Sequence, residues 1–420
     1  MAFWRRFLQR EENTAPAACT ALDVGTEYAK ALVFEIDSEG QAMVRGVGRR
    51  RQGLAHMQSG TVADIPAVVD NCQVALQEAE EMAGFRSRQV IIGIAGELVK
   101  GFTTGYSQER RKPDQPISAH ELGRLIDSVQ REALREADRT ITWETGLPNV
   151  DIRLVHAAVS GATIDGYAVT NPVGFQGRHV RISIFNAFAP LVHLGALQTV
   201  AGQLDLELLA IVAEPYAVAR CLDDEHVQQN GALFIDVGGG TTDIALVRQG
   251  GIEGTRMFAL GGRAFTKSLA DRLELPFARA EELKVDFAKG VAVERHEDIE
   301  RIVADDVAVW AAGVELVLEE FGSGGLLPGK MYLCGGGSRL PQIATALRDA
   351  DFARRLPFAR PPQVEAIKPS QVANITDATG LLLDVQDVPP LGLAHQALEM
   401  SAPEAPLDAA LRHVLRAMKV

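Results

Sequence analysis

The run Phe234-Ile235-Asp236-Val237-Gly238-Gly239-Gly240-Thr241-Thr242-Asp243-Ile244-Ala245 sets two carboxylates around three glycines and two threonines, between apolar stretches. It reads as strand, tight turn, strand. Glycines let backbone N–H groups approach an anion closely, and threonine hydroxyls add donors, so the turn suits a phosphate. An acidic residue beside it suits a Mg²⁺ ion held mostly through water. Taken alone, the same run is also an ordinary glycine hairpin.

A second copy changes that. Leu22-Asp23-Val24-Gly25-Thr26 ends another apolar run, about 210 residues earlier, and is followed in the same way by strand, turn and strand. A third cluster, Cys334-Gly335-Gly336-Gly337-Ser338-Arg339-Leu340-Pro341, follows the apolar run 331–333. Two similar units plus a third loop predict a duplicated α/β domain with a phosphate held between glycine loops.

In these three loops the chain resembles the actin–Hsp70–sugar kinase superfamily. The resemblance implies an α/β, actin-like (ribonuclease H-like) duplicated fold with two lobes around a nucleotide cleft. It implies a first phosphate loop at Asp23, Gly25 and Thr26, and a second at Asp236, Gly238, Gly239, Gly240, Thr241 and Thr242. The adenosine loop would be Gly335, Gly336, Gly337, Ser338 and Arg339. ATP and Mg²⁺ are the implied cofactors, with Asp23 and Asp236 near the metal through water. Glu281 and Lys284, in Ala280-Glu281-Glu282-Leu283-Lys284, match the helix whose Glu and Lys reach ribose and adenine; by spacing alone they are a helical charge pair. Glu214, at the start of a helix opened by Pro215, matches the acid that orients Mg²⁺ or the attacking water. The implied catalytic set is therefore Glu214, Asp23 and Asp236.

The elements that must position these groups follow from periodicity. Asp64 to Gly84 reads as a helix with apolar Val68, Val69, Cys72, Leu76 and Ala79 on one face, and 89–95 as a buried strand. Between 96 and 187 lies a different unit: a strand at 98–106, a helix opened by the capping box Ser118-Ala119-His120-Glu121 and running to about Asp138, then two or three strands, at 151–159, 162–169 and 179–185. This strand–helix–strand–strand order resembles the 1C (SHS2) insertion of the FtsA division proteins and of PilM, and Asn171 to Gly177 resembles the loop before its last strand. A helix at 191–204, a strand at 208–212 and a helix at 215–222 close the first half. A long helix is predicted from about 296 to 321, and 389–398 resembles the closing helix of the actin-like core in FtsA and PilM. The resulting domain scheme is a tail at 1–17, subdomain 1A at 18–95 and 188–228, the insertion at 96–187, lobe 2 at 229–398 with a reduced 2B around 285–325, a linker at 399–406 and a terminal helix at 407–420.

Composition narrows the function. The 420 residues are 47% hydrophobic and 23% charged, as in folded proteins, and carry a formal net charge of −13. That argues against a general nucleic-acid partner. Arg45 and Arg49-Arg50-Arg51 form a local basic patch that reads as a solvated strand end. Cys19, Cys72, Cys221 and Cys334 show no metal-binding spacing, which fits a reducing cytoplasm. No apolar run approaches the ~20 residues needed to span a bilayer.

Both ends are amphipathic. Leu407, Ala410, Leu411, Val414, Leu415 and Met418 share one helical face, with Arg412, His413, Arg416 and Lys419 on the other; this suits either an anionic bilayer or the protein's own core. Phe3, Trp4, Phe7 and Leu8 beside Arg5, Arg6 and Arg10 are similar in kind. FtsA proteins end in a linker and a membrane helix. That resemblance implies a cytoplasmic protein, peripheral on the inner membrane face, that forms head-to-tail filaments with itself and meets FtsZ or other division proteins. Any ATP hydrolysis would be slow. The alternative is a PilM-like adaptor that binds a peptide of a membrane pilus protein. Lys30, seven residues past Asp23, and Thr255-Arg256 lean that way, as does the short stretch between Lys284 and Arg295, too short for the 2B strand pair. A sugar or acetate kinase shares the fold, but the insertion offers no evident substrate acid.

Overall fold

A computed structural model describes residues 17–146, 150–402 and 406–418. The amphipathic N-terminal run, residues 403–405 of the proline-bearing linker and Lys419 of the terminal helix lie outside the described residues.

Strands β1 (Ala17–Val24), β2 (Tyr28–Ile36) and β3 (Ala42–Arg51) form an antiparallel meander. A two-residue pair, β4 (Met57–Gln58) and β5 (Thr61–Val62), leads into helix α1 (Ile65–Ala83). Asp64 caps this helix by accepting from Ala67 N, and Gly84 ends it in the left-handed conformation at φ 77°. Strand β6 (Gln89–Ile94) then runs parallel to β1. The sheet continues much later with β11 (Glu207–Ala213), parallel to β6.

The second half repeats this order. β12 (Ala232–Val237), β13 (Thr242–Arg248) and β14 (Gly251–Phe258) form a meander, and β15 (Lys330–Cys334) and β16 (Gln363–Ala366) add in parallel beyond β12. The two halves thus read β11-β6-β1-β2-β3 and β16-β15-β12-β13-β14, the same five-strand order. A short β17 (Ile375–Asp377) extends the first sheet beside β3. Each lobe has its own apolar core, one around Leu22, Leu32, Phe34 and Ile92, the other around Ile235, Phe265, Trp310 and Leu333. Three helices pack beneath the second sheet: α6 (Gly262–Leu273), α7 (Phe277–Ala288) and α8 (His296–Gly322). Helices α9 (Pro341–Leu347) and α10 (Ala350–Arg355) follow β15, and α11 (Val388–Ser401) returns to pack on the first lobe.

Between β6 and β11 the chain makes β7 (Lys100–Glu109), α2 (Ala119–Thr145), β8 (Ile152–Ile164), β9 (Tyr167–Ala168), β10 (His179–Pro190) and α3 (Leu191–Gln203). α4 (Glu214–Arg220) and α5 (Glu225–Asn230) link it to β12. Strands β7, β10, β8 and β9 attach to the second lobe's sheet, where β7 pairs with β14 through Gly254↔Phe102 and Thr255↔Gly101. The insertion therefore leaves lobe 1 in sequence and joins lobe 2 by hydrogen bonding.

Local details depart from the sequence reading. Residues 151–159 and 162–169 were expected as separate strands, but 152–164 is one strand; its register shifts at Ser160, and the extra residue is absorbed as a bulge. Helix α2 passes Asp138 and stops at Gly146, the glycine that supplies φ 65°. Only half of the expected capping box forms. Ser118 accepts from Glu121 N, but the Glu121 carboxylate turns to the buried Arg110. The terminal helix, α12 (Pro406–Met418), has its apolar face against α2, with Leu407, Leu411 and Val414 buried in the insertion's core. Among the described residues, no helix is long and apolar enough to cross a membrane.

Two glycines on β3 let α1 lie directly on the sheet. A Cβ at Gly48 would sit 1.8 Å from Ala75 O, and one at Gly46 would sit 1.9 Å from Ala79 O. Gly48→Val must therefore push helix and sheet apart. Urea unfolding should show a loss on the order of 3 kcal/mol.

Candidate functional site

The cleft is built where strand ends from the two repeated units face each other. Asp23 and Asp236 are each the last residue but one of their strands, β1 and β12, so the two carboxylates come from equivalent positions of the duplicated fold. The turns that follow abut across the gap. A Cβ on Gly239 would come within 2.9 Å of Glu27 Cβ, and one on Gly240 within 2.8 Å of Thr26 Oγ1. Only glycine allows the loops this close. The crevice between them holds about 380 Å³, within the ~300–1,000 Å³ of small-ligand sites.

Of the residues singled out from sequence, Asp23, Gly25, Thr26, Glu214, Asp236, Gly238, Gly239, Thr241, Glu281, Lys284, Gly335, Gly336, Gly337 and Arg339 all line this one cleft. Three do not. Gly240 is turned against Thr26. The Ser338 hydroxyl donates to Gly335 O and shapes its own loop. Thr242 is fully buried: its hydroxyl donates to Leu260 O at 2.7 Å and accepts from Trp310 Nε1 at 2.8 Å. Thr242 points into lobe 2 because side chains alternate along β13, placing Thr241 and Asp243 on the cleft side.

The cleft floor concentrates acid. Asp23, Glu214, Asp236 and Asp243 converge there, with one ammonium among them. Lys30 Nζ donates to Asp23 Oδ2 and to Gln386 O, both at 2.9 Å. Burial works against the Lys30 charge, but the Asp23 carboxylate outweighs it and holds the lysine above its usual range. Burial pushes Asp236 up to about 7 against the pull of Lys30. Burial and then the Asp236 charge push Asp243 up to about 8, although its Oδ2 accepts from Thr241 Oγ1. Glu214 begins α4 and lies against Gly93, where a Cβ would meet Glu214 Oε1 at 2.4 Å; burial and then the neighbouring carboxylates raise it well above the usual range.

These groups fit a hydrated cation. Asp236 Oδ1 and Asp243 Oδ1 are buried without a hydrogen-bond partner, so each carries an unused acceptor. Among the described residues no three His, Cys, Asp or Glu side chains converge closely enough to ligate a metal directly. Water and phosphate oxygens would complete the shell, as Mg²⁺ prefers.

At the other end, Lys284 Nζ donates to Gly262 O, Thr266 Oγ1 and Glu281 Oε2. Burial alone would raise Glu281, but Lys284 and the Thr266 hydroxyl outweigh it and hold it low. The pair is part of the pocket wall and not a solvated surface pair. Val285, Ala288 and Leu340 add apolar surface beside it.

Sequence reading missed the groups that join the walls. Glu27 accepts from Arg51 Nε on one oxygen and from Arg263 Nε on the other, each at 2.6 Å, tying lobe 1 to the start of α6. Arg49, read as part of a solvated strand end, lines the cleft and donates to Asp387 Oδ1 at 2.6 Å. Strand alternation was the available signal, since it puts residues 49 and 51 on one face.

Thr242→Val keeps the shape and removes both hydrogen bonds. The expected result is a loss of about 1–3 kcal/mol in denaturant unfolding, with ligand affinity at the cleft unchanged.

Known proteins agree with this geometry. The family model for the cell division protein FtsA matches residues 233–380. FtsA of Pseudomonas aeruginosa is 28% identical over 273 residues, 64% of this chain and 61% of its own length. FtsA of Bacillus subtilis is 23% identical over 352 residues, 78% of this chain and 76% of its own. The match to the first thus spans about three fifths of that relative's length. Among solved structures, a chain of the PilM–PilN type IV pilus biogenesis complex superposes with a TM-score of 0.62 at 18% identity, over 92% of this chain and 99% of that one. In its duplicated sheet and in these matches, the chain resembles the FtsA/PilM branch of the actin-like superfamily.

Proposed function

We propose that this chain is an FtsA-like actin homologue that binds ATP with Mg²⁺ and organises the division machinery on the cytoplasmic face of the membrane. The observation that carries this reading is the pair of glycine loops from duplicated units, facing each other across one cleft with unpartnered carboxylate oxygens at its floor. Loop amides and Lys30 would meet the phosphates. Asp23, Asp236 and Asp243 would hold the hydrated ion, whose charge offsets their crowding. Glu281 and Lys284 would face the ribose and base, and Gly335 to Arg339 would close over the adenosine. Glu214, raised well above the usual carboxylate range by burial and the neighbouring carboxylates, would orient water beside the bound ion. Any turnover would be slow and would serve switching. Head-to-tail self-association, an insertion of the 1C type and attachment through amphipathic termini belong to the same reading.

The second reading is a PilM-like adaptor, favoured by two observations. The superposition on a chain of the PilM–PilN complex covers nearly the whole of both chains. The stretch from Lys289 to Arg295, between α7 and α8, carries no strand pair.

Calorimetry with Mg·ATP tests the nucleotide claim. Gly239→Val drives a side chain into Glu27, and Asp236→Ala removes a floor carboxylate. Each should lower affinity by at least about 100-fold, a loss of roughly 2.7 kcal/mol, with unfolding midpoints near wild type for Asp236→Ala. Unchanged affinity in both would end the claim. Affinity capture from the native cell separates the readings: recovery of FtsZ supports the division role, and recovery of pilus-assembly proteins supports the adaptor.

A further inference from the structure

The terminal helix is amphipathic, yet its apolar face is already occupied. Leu407, Leu411 and Val414, at positions i, i+4 and i+7, are buried among Leu122, Leu125, Ile126 and Val129 of α2 and residues of β8 and β10. Gly123 of α2 faces this helix: a Cβ there would lie 3.9 Å from Val414 Cγ2, in van der Waals contact. At its other end the helix reaches the first lobe, where the Asp408 charge acts on Arg220 and Tyr216. His413 is exposed on the opposite face.

We propose that the groove on the insertion and an anionic bilayer compete for this one face of α12, so that the helix is a latch: docked, it hides its lipid-binding surface, and released, it binds membrane and uncovers the groove. The inference rests on the membrane reading above and adds its control. The chain as a whole carries a formal charge of −13, so an anionic surface repels it. Attraction requires a local segment that presents cationic and apolar faces together. In the docked state α12 lacks the apolar half of that surface. Membrane affinity is then reduced by the fraction of molecules in which the helix is free. Only residues 402–405 separate α11 from α12. So short a tether keeps the local concentration of helix at the groove high and favours the docked state. Release also exposes Leu122, Leu125, Ile126 and Val129, so membrane attachment and an open groove are one state.

The test uses the full chain with Gly123→Cys and Val414→Cys, sedimented with phosphatidylglycerol–phosphatidylethanolamine vesicles in oxidised and reduced forms. The oxidised pair should stay in the supernatant and the reduced pair should pellet. Gly123→Leu, which improves helix propensity while crowding Val414, should raise the vesicle-bound fraction above wild type by about threefold or more. Equal binding of the oxidised and reduced forms would overturn the latch while leaving the membrane reading intact, as would failure of the two cysteines to cross-link. If deletion of residues 401–420 leaves wild-type binding unaltered, or if no form binds, the membrane role of this helix fails and the latch with it.

Discussion

One ammonium among four carboxyl groups governs this cleft. Lys30 sits between Asp23 and the Gln386 carbonyl, and Asp236, Asp243 and Glu214 crowd the same floor. Acids so buried and so close cannot all ionise in the absence of added positive charge. Burial and mutual repulsion therefore raise Glu214, Asp236 and Asp243, and Lys30 opposes the rise at Glu214 and Asp236. A divalent ion would offset the same crowding. The duplication explains the crowding: repeating one strand–turn unit and facing the copies brings two equivalent aspartates to a common point.

The walls are coordinated by a short segment with no secondary-structure signal of its own. Arg339, from the third glycine loop, pairs with Asp384 at 3.0 Å, and Gly335 N donates to Val385 O. The next two residues face lobe 1, where Lys30 holds Gln386 O and Arg49 holds Asp387. Four consecutive residues thus touch the loops of both lobes. The third loop and Lys30 bond to adjacent residues of one short 3-10 turn.

What sequence could reveal was local. The glycine loops, their aspartates and the repeated strand–turn–strand units were legible because each is local in sequence and follows strand periodicity. Long helices such as α8 were legible for the same reason. The Glu27–Arg263 and Arg49–Asp387 pairs were not, because each joins residues more than 200 positions apart and a surface arginine looks the same in sequence whether solvated or paired. Thr242 falls within the expected second phosphate loop, but strand alternation turns it away from the cleft that Thr241 faces. The break placed at Ser160-Gly161 failed because a bulge and a turn share the same residue types.

Between β7 and β14 the strand pairs Gly254↔Phe102 and Thr255↔Gly101 knit the insertion to lobe 2, backed by hydrogen bonds from Thr103 Oγ1 to Ile252 O and from Arg256 Nη1 to Gly101 O, and by a contact from Gly96 N to Met257 Sδ. Because the insertion is spliced into lobe 1, this seam joins the two jaws of the cleft a second time, through β14, whose Met257 is the direct strand partner of Asp243.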